Sequence, residues 1–83
     1  MATKIEWSEE ARADVRRLDK PLAMRVFEGL LRYMRTDEGD VRALQGDLAG
    51  RFRLRIGDYR VCFTRAGDML QIHWVRHRSV AYR

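Results

Sequence analysis

The spacing of apolar residues changes its period along the chain, and each period predicts a different element. From Thr3 to Trp7 polar and apolar positions alternate, with Ile5 and Trp7 on one side, which predicts a short strand. Ser8 then stands where a helix N-cap belongs, and Glu9 and Glu10 follow at the end of the helix dipole that favours acids. Ala11, Val15 and Leu18 recur at helical spacing, with Arg12, Asp14, Arg16 and Arg17 falling largely between them. Pro21 stops this first helix and suits the first turn of a second. The second carries its own apolar stripe, Leu22, Val26, Leu30 and Tyr33–Met34, and Gly39 ends or follows it. The link between the two is short, so they form an antiparallel hairpin.

Residues 40–50, with Gly46 and Gly50, read as a loop from which Val41 and Leu44 tuck inward. From Arg51 the period is two. Arg51, Arg53 and Arg55 alternate with Phe52, Leu54 and Ile56; Tyr59, Val61 and Phe63 alternate with Arg60, Cys62 and Thr64; Leu70, Ile72 and Trp74 alternate with Gln71, His73 and Val75. Gly57-Asp58 and Gly67-Asp68 are the turns between these runs. Together the pattern predicts an α+β fold, β-α-α-β-β-β, in which a helix hairpin packs on a mainly antiparallel sheet after an N-terminal strand. The register of that first strand is left open.

Length adds that 1–83 is a single small domain of marginal stability, since a chain of this size hides only about 60% of its unfolded surface. No apolar run is long enough to span a membrane, and no secretory leader opens the chain, so a cytoplasmic protein is expected. A lone cysteine, Cys62, excludes an internal disulfide, and two histidines without clustered acids make no metal site.

Charge changes the picture more. Seventeen Lys+Arg stand against twelve Asp+Glu, a net +5. Residues 1–50 hold nine basic and ten acidic side chains and residues 51–83 eight and two, so the excess lies wholly in the C-terminal third. If Phe52, Leu54, Val61, Phe63, Ile72 and Trp74 pack under the helices, pleat geometry puts Arg51, Arg53, Arg55, Arg60 and His73 on the opposite face. Like charges so close repel unless an anion sits among them, and the guanidinium fork suits phosphate. The ending Arg76-His77-Arg78-Ser79-Val80-Ala81-Tyr82-Arg83 adds arginines, an imidazole and a phenol, groups that can clamp a phosphate, move a proton or stack on a base. His73, in mid-strand beside Trp74, reads as a structural histidine. No phosphate-binding glycine loop or nucleophile elbow is present.

Ile5-Glu6-Trp7-Ser8 leading into a helix, Leu44-Gln45-Gly46, the run from Phe52 through Arg53-Leu54-Arg55-Ile56-Gly57-Asp58-Tyr59-Arg60 to Val61, and the ending His77-Arg78 with Tyr82-Arg83 resemble the RelE/ParE superfamily of toxins from toxin–antitoxin pairs. The likeness, RelE-like in character, covers nearly the whole chain. It implies a ribosome-dependent messenger RNA endoribonuclease without cofactor or metal, in which a ribose 2′-hydroxyl attacks the adjacent phosphate. It also implies a cognate antitoxin that binds the toxin in a hetero-oligomer, with the ribosome and messenger RNA as the other partners and no membrane. Residue by residue it implies Arg60, Arg78 and Tyr82 as catalytic, with Arg60 and Arg78 clamping phosphate and Tyr82 as stacker or orienter; His77, whose reference pKa is about 6.5, is assigned as base or acid. Arg51, Arg53, Arg55, Arg76 and Arg83 are the expected RNA-binding residues, Arg76 being the rival of Arg78 under a shifted alignment. Prototypical RelE carries lysines where this chain has Arg51 and Arg53, and arginine is a poor base, so the base must lie elsewhere or be weak. The alternatives are a ParE-like inhibitor of DNA gyrase without enzymatic activity, and a generic basic binding module.

Overall fold

The structure, a computed structural model, describes residues 2–82. Both helices start on side-chain caps. Ser8 Oγ accepts the Ala11 N–H at 3.0 Å ahead of α1 (Glu9–Arg16), and the Asp19 carboxylate accepts the Leu22 N–H at 3.0 Å ahead of α2 (Lys20–Thr36). Pro21 occupies the first turn of α2, where its missing N–H costs nothing. The helix ends at Asp37 in the left-handed region, φ 56°, whose N–H donates to the Tyr33 carbonyl at 2.8 Å; Gly39 follows it.

Five strands form one mixed sheet in the order β1-β5-β4-β3-β2: β1 (Lys4–Trp7), β2 (Asp40–Ala43), β3 (Phe52–Ile56), β4 (Tyr59–Ala66) and β5 (Met69–His77). The β3-β4-β5 meander turns at Gly57-Asp58 and Gly67-Asp68, with Gly57 at φ 57° where a side chain would be strained. β1 lies parallel to β5, Lys4 opposite Met69 and Trp7 opposite Ile72, so the helix hairpin and three further strands intervene between paired neighbours. Residues 40–50, expected as loop, instead begin with the edge strand β2, antiparallel to β3, and continue through a short 3-10 turn at Gly46–Leu48. Four mostly exposed residues carry no alternation long enough to read; β3 supplies their order through its own free edge.

The helices cover one face of the sheet. Val26, Leu30, Tyr33 and Met34 of α2 meet Leu54, Val61, Phe63, Leu70, Ile72 and Val75, with the Phe63 ring between those of Tyr33 and Phe52 at 5.5 and 5.7 Å. At Gly29 a Cβ would stand 2.7 Å from Ile56 Cδ1, so glycine sets how near α2 comes to β3.

Trp74 is not in this core. The β4–β5 register slips between Cys62 and Phe63: Cys62 is opposite Trp74 and Phe63 opposite Ile72, which leaves His73 as an extra residue in β5. This β-bulge puts both His73 and Trp74 on the outer face and gives the inward place to Val75. It lies just past the end of β1. Beyond Ile72 the edge of β5 has no strand neighbour and takes its partners from the start of α1. Ser8 N–H donates to the Ile72 carbonyl at 2.9 Å, Ser8 Oγ to the His73 carbonyl at 2.8 Å, and the Val75 N–H donates to Asp14 Oδ2 at 2.9 Å.

Candidate nucleic-acid interface

Strand pairing stacks the basic residues in rows on the outer face. One row runs Asp40, Arg55, Arg60, Arg76 across four strands; the next runs Arg42, Arg53, Cys62, Trp74. Arg51, just before β3, stands close enough to Cys62 and His73 to act electrostatically on both. Arg51, Arg53, Arg55, Arg60 and Arg76 are thus brought together, and Arg42 joins them. Sequence reasoning missed Arg42 because it lies in the segment read as loop.

These guanidiniums outnumber their acids. The Asp40 carboxylate lies 3.5 Å from Arg53, 3.9 Å from Arg55 and 4.0 Å from Arg42, one negative charge among three positive ones. Arg53 is the best held of the three: its side chain is 12% exposed, and Nη1 also donates to the Asp40 carbonyl at 3.3 Å. Among the described residues, Arg60 Nη1 donates only to carbonyls, those of Gly57 at 3.1 Å and Tyr59 at 3.0 Å, which fix the group without neutralising it. Arg76 lies 4.5 Å above the Trp74 ring and is bound by Glu10 at 2.6 Å. Among the described residues, six arginines therefore share two carboxylates, an arrangement that favours a polyanion.

Past β5 the chain turns back across this face. The Val80 N–H donates to the His77 carbonyl at 3.0 Å, and Ala81 is buried against Cys62 and Trp74 with Leu44 beside them. That return places the Tyr82 ring edge-on to Trp74, 6.2 Å between centroids and 56% exposed, as an aromatic ledge among the arginines. Arg78 sits at the end of the sheet, its backbone N–H on the Asp58 carbonyl at 2.8 Å and its guanidinium 3.9 Å from the Asp58 carboxylate and mostly exposed. Arg83 lies outside the described residues.

His77 is not in this group. It pairs with Tyr59, and alternation from Val75 puts both side chains on the helix side of the sheet. The two rings meet edge to face at 5.5 Å, beside a cleft of about 280 Å³ lined by Leu22, Arg25, Ile56 and Asp58. Its Nδ1 accepts from the Ser79 N–H at 3.2 Å, and Ser79 Oγ lies 2.9 Å from the same nitrogen.

His73, by contrast, joins the arginine face. Its Nε2 is 2.9 Å from Thr64 Oγ1, which donates to Gln71 Oε1 at 2.9 Å. Burial and the nearby Arg51 charge hold its pKa below the ordinary histidine value, with Glu10 pulling weakly the other way. Burial raises the pKa of the Cys62 thiol against the pull of Arg51, so this sulfur stays protonated and inert. The one sign in the sequence that His73 and Trp74 share a face is Val75: an apolar residue where strict alternation demands a polar one marks the slip. Among the described residues, no three His, Cys, Asp or Glu side chains cluster as a metal ion would need, and no helix is long and apolar enough to cross a membrane.

No family model matches the chain, and no curated protein matches it in sequence. Solved structures do match. The chain superposes on the toxin–antitoxin complex RelBE2 from Mycobacterium tuberculosis with a TM-score of 0.83 at 24% identity, covering 95% of this chain and 94% of that one. The YoeB/ParE toxin from Agrobacterium tumefaciens gives 0.74 at 23% identity over 90% and 98%. YafQ from E. coli gives 0.75 at 14% identity over the full length of both chains. At such identities it is the fold that is shared: this chain has the fold of the RelE-like toxins.

Proposed function

We propose that this protein is the toxin of a toxin–antitoxin pair and that it cuts messenger RNA on the ribosome. The observation that carries the reading is the outer sheet face, where, among the described residues, six arginines share two carboxylates around a Trp74–Tyr82 aromatic ledge. The chemistry we assign to it, as the RelE-like resemblance implies, is attack by the substrate's own 2′-hydroxyl on the next phosphate. The phosphorane gains negative charge as it forms. Arg60, already oriented by two carbonyls, and the exposed Arg78 are the cations assigned to meet it. Arg51, Arg53, Arg55 and Arg76 hold the flanking phosphates, and Tyr82 offers the exposed part of its ring to a base. His77, on the other side of the sheet, has no part in this assignment.

The partner in this reading is an antitoxin, as in the RelB-RelE antitoxin-toxin complex from Methanococcus jannaschii, whose fold this chain shares at a TM-score of 0.72. We assign its docking to the helix hairpin. Met24, Phe27 and Leu31 repeat at helical spacing and are 46, 37 and 49% exposed. Phe27 meets Trp7 edge-on at 5.6 Å above a cleft that Arg12 and Arg16 rim. An acidic amphipathic helix matches that strip in shape and charge. The site of action is the cytoplasm, where ribosomes are.

The deciding experiment is controlled expression followed by mapping of transcript 5′ ends, with Arg60→Ala and Arg78→Ala beside the wild type. Cuts within translated frames, lost in both variants while the proteins still melt cooperatively, are the expected result. Growth arrest with intact messenger RNA and a DNA-damage response would replace this reading with gyrase inhibition. Phe27→Asp is expected to weaken capture of the antitoxin without affecting cleavage.

A further inference from the structure

We propose that His73, held on the arginine face by the bulge in β5, is the proton acceptor of the cleavage reaction; the inference rests on the ribonuclease reading above. The face offers few other candidates. Arginine does not give up its proton. Asp40 and Glu10 are engaged by guanidiniums, and the Cys62 thiol is buried. His77 lies on the far side of the sheet, with its Nδ1 already satisfied by Ser79.

The hydrogen bonds of His73 define which nitrogen is available. Thr64 has one hydroxyl proton and gives it to Gln71 Oε1, so the imidazole must be the donor in the 2.9 Å contact with Thr64. Nε2 therefore carries the proton and Nδ1 carries the lone pair. Nδ1 has no hydrogen-bond partner among the described residues, and no buried side-chain nitrogen or oxygen there lacks one, so Nδ1 is not sealed from solvent. A base oriented by a second group that is itself oriented by a third is the arrangement proton abstraction requires. Without the bulge, strict alternation would leave room for only one of His73 and Trp74 on this face; the extra residue lets the acceptor and the aromatic ledge stand side by side.

In the step itself, Nδ1 takes the 2′-hydroxyl proton as the 2′-oxygen bonds to phosphorus. The bond from phosphorus to the 5′-oxygen breaks, and that oxygen takes a proton from water. The hydroxide left behind removes the proton from His73. The products are a 2′,3′-cyclic phosphate and a 5′-hydroxyl, and the histidine is restored. The charged groups that act on His73 are Arg51, ahead of β3, and Glu10 of α1; its neighbours Thr64 and Gln71 are uncharged. The balance of burial and Arg51 over Glu10 keeps it neutral, and so able to accept, at a lower pH than an ordinary histidine.

The test is single-turnover cleavage of messenger RNA on programmed ribosomes from pH 5 to 9, with the histidines titrated in parallel by nitrogen-resolved NMR of the full chain. The wild-type rate should rise with pH and level off, its inflection below the ordinary histidine value of about 6.5 and coincident with the titration of His73. His73 should show the Nε2–H tautomer. His73→Gln should slow cleavage by about 10²- to 10⁴-fold and lose the inflection. Thr64→Val should lower kcat more than it raises KM, and Thr64→Ser should restore it. An inflection that follows His77 instead, or that survives in His73→Gln, would overturn the assignment even where the wild type cleaves. Because the NMR comparison uses the wild type alone, it decides the matter even if His73→Gln fails to fold. A wild type that never cleaves under any condition would overturn the ribonuclease reading itself, and this inference with it.

Discussion

Replacing Asp14 by Ala should loosen the bulge that builds the outer face, and the structure sets the size of the effect. Asp14 Oδ2 accepts the Val75 N–H at 2.9 Å, and the Asp14 side chain is only 12% exposed. Val75 is 4% exposed, so without Asp14 its N–H is left in the protein interior without an acceptor. A hydrogen bond to a charged group contributes about 1.5–3 kcal/mol, and an orphaned buried donor costs about 1–3 kcal/mol, two views of the same loss. The Arg17–Asp14 contact at 3.6 Å adds little, because Arg17 is largely exposed. Alanine's better helix propensity returns roughly 0.5 kcal/mol. The net expectation is a loss of about 2 kcal/mol, or about 8–16 °C in Tm for a domain of this size. Asp14→Asn keeps an acceptor oxygen and should lose less than about half of that. Urea and thermal unfolding of the three proteins side by side measure it. Cleavage by folded Asp14→Ala should also fall, because His73 and Trp74 lose their fixed positions. A change within about 0.5 kcal/mol of wild type would refute the claim that α1 holds the bulge in place.

Three further outcomes follow from the same geometry. Affinity for ribosomes or RNA should fall steeply with salt, and Arg53→Ala should flatten the log–log slope by roughly 0.7–0.9, one phosphate contact; an unchanged slope puts Arg53 outside the site. Tyr82→Ala should weaken RNA binding by about 1–3 kcal/mol while Tyr82→Phe keeps it, as equilibrium titration would show, because stacking needs the ring and not the hydroxyl. The hydrogen bond from Arg65 at 2.9 Å holds the Asp37 carboxyl below the ordinary aspartate range. A lowered folded pKa means that this contribution is complete above the unfolded value and is lost as pH falls through the folded one. Below about pH 4 the Tm should therefore drop less steeply in Arg65→Met than in wild type, as a melting series from pH 2 to 6 would show.

Much of this protein follows from local rules that act over a few residues. The caps at Ser8 and Asp19, the Pro21 boundary, the stripe from Leu22 to Met34 and the turns at Gly57 and Gly67 depend only on near neighbours, and so does the alternation that sends Arg51, Arg53, Arg55 and Arg60 outward. These dictate an α+β fold with a basic outer face. What tertiary structure decided lies wherever a residue's partner is remote in sequence. Asp40–Ala43 became a strand because β3 had a free edge, and this brought Arg42 and Asp40 into the site. Parallel pairing of β1 with β5 ends at Trp7, and the Ser8 and Asp14 contacts beyond it stabilise the extra residue in β5. One inserted residue reverses the facing of everything on one side of it, so Trp74 moved from the expected core to the outer face and Val75 took the inward position. The same contacts put His73 among the arginines and leave His77 exposed on the helix side of the sheet, a division between two histidines four residues apart that the period of a strand could not reveal.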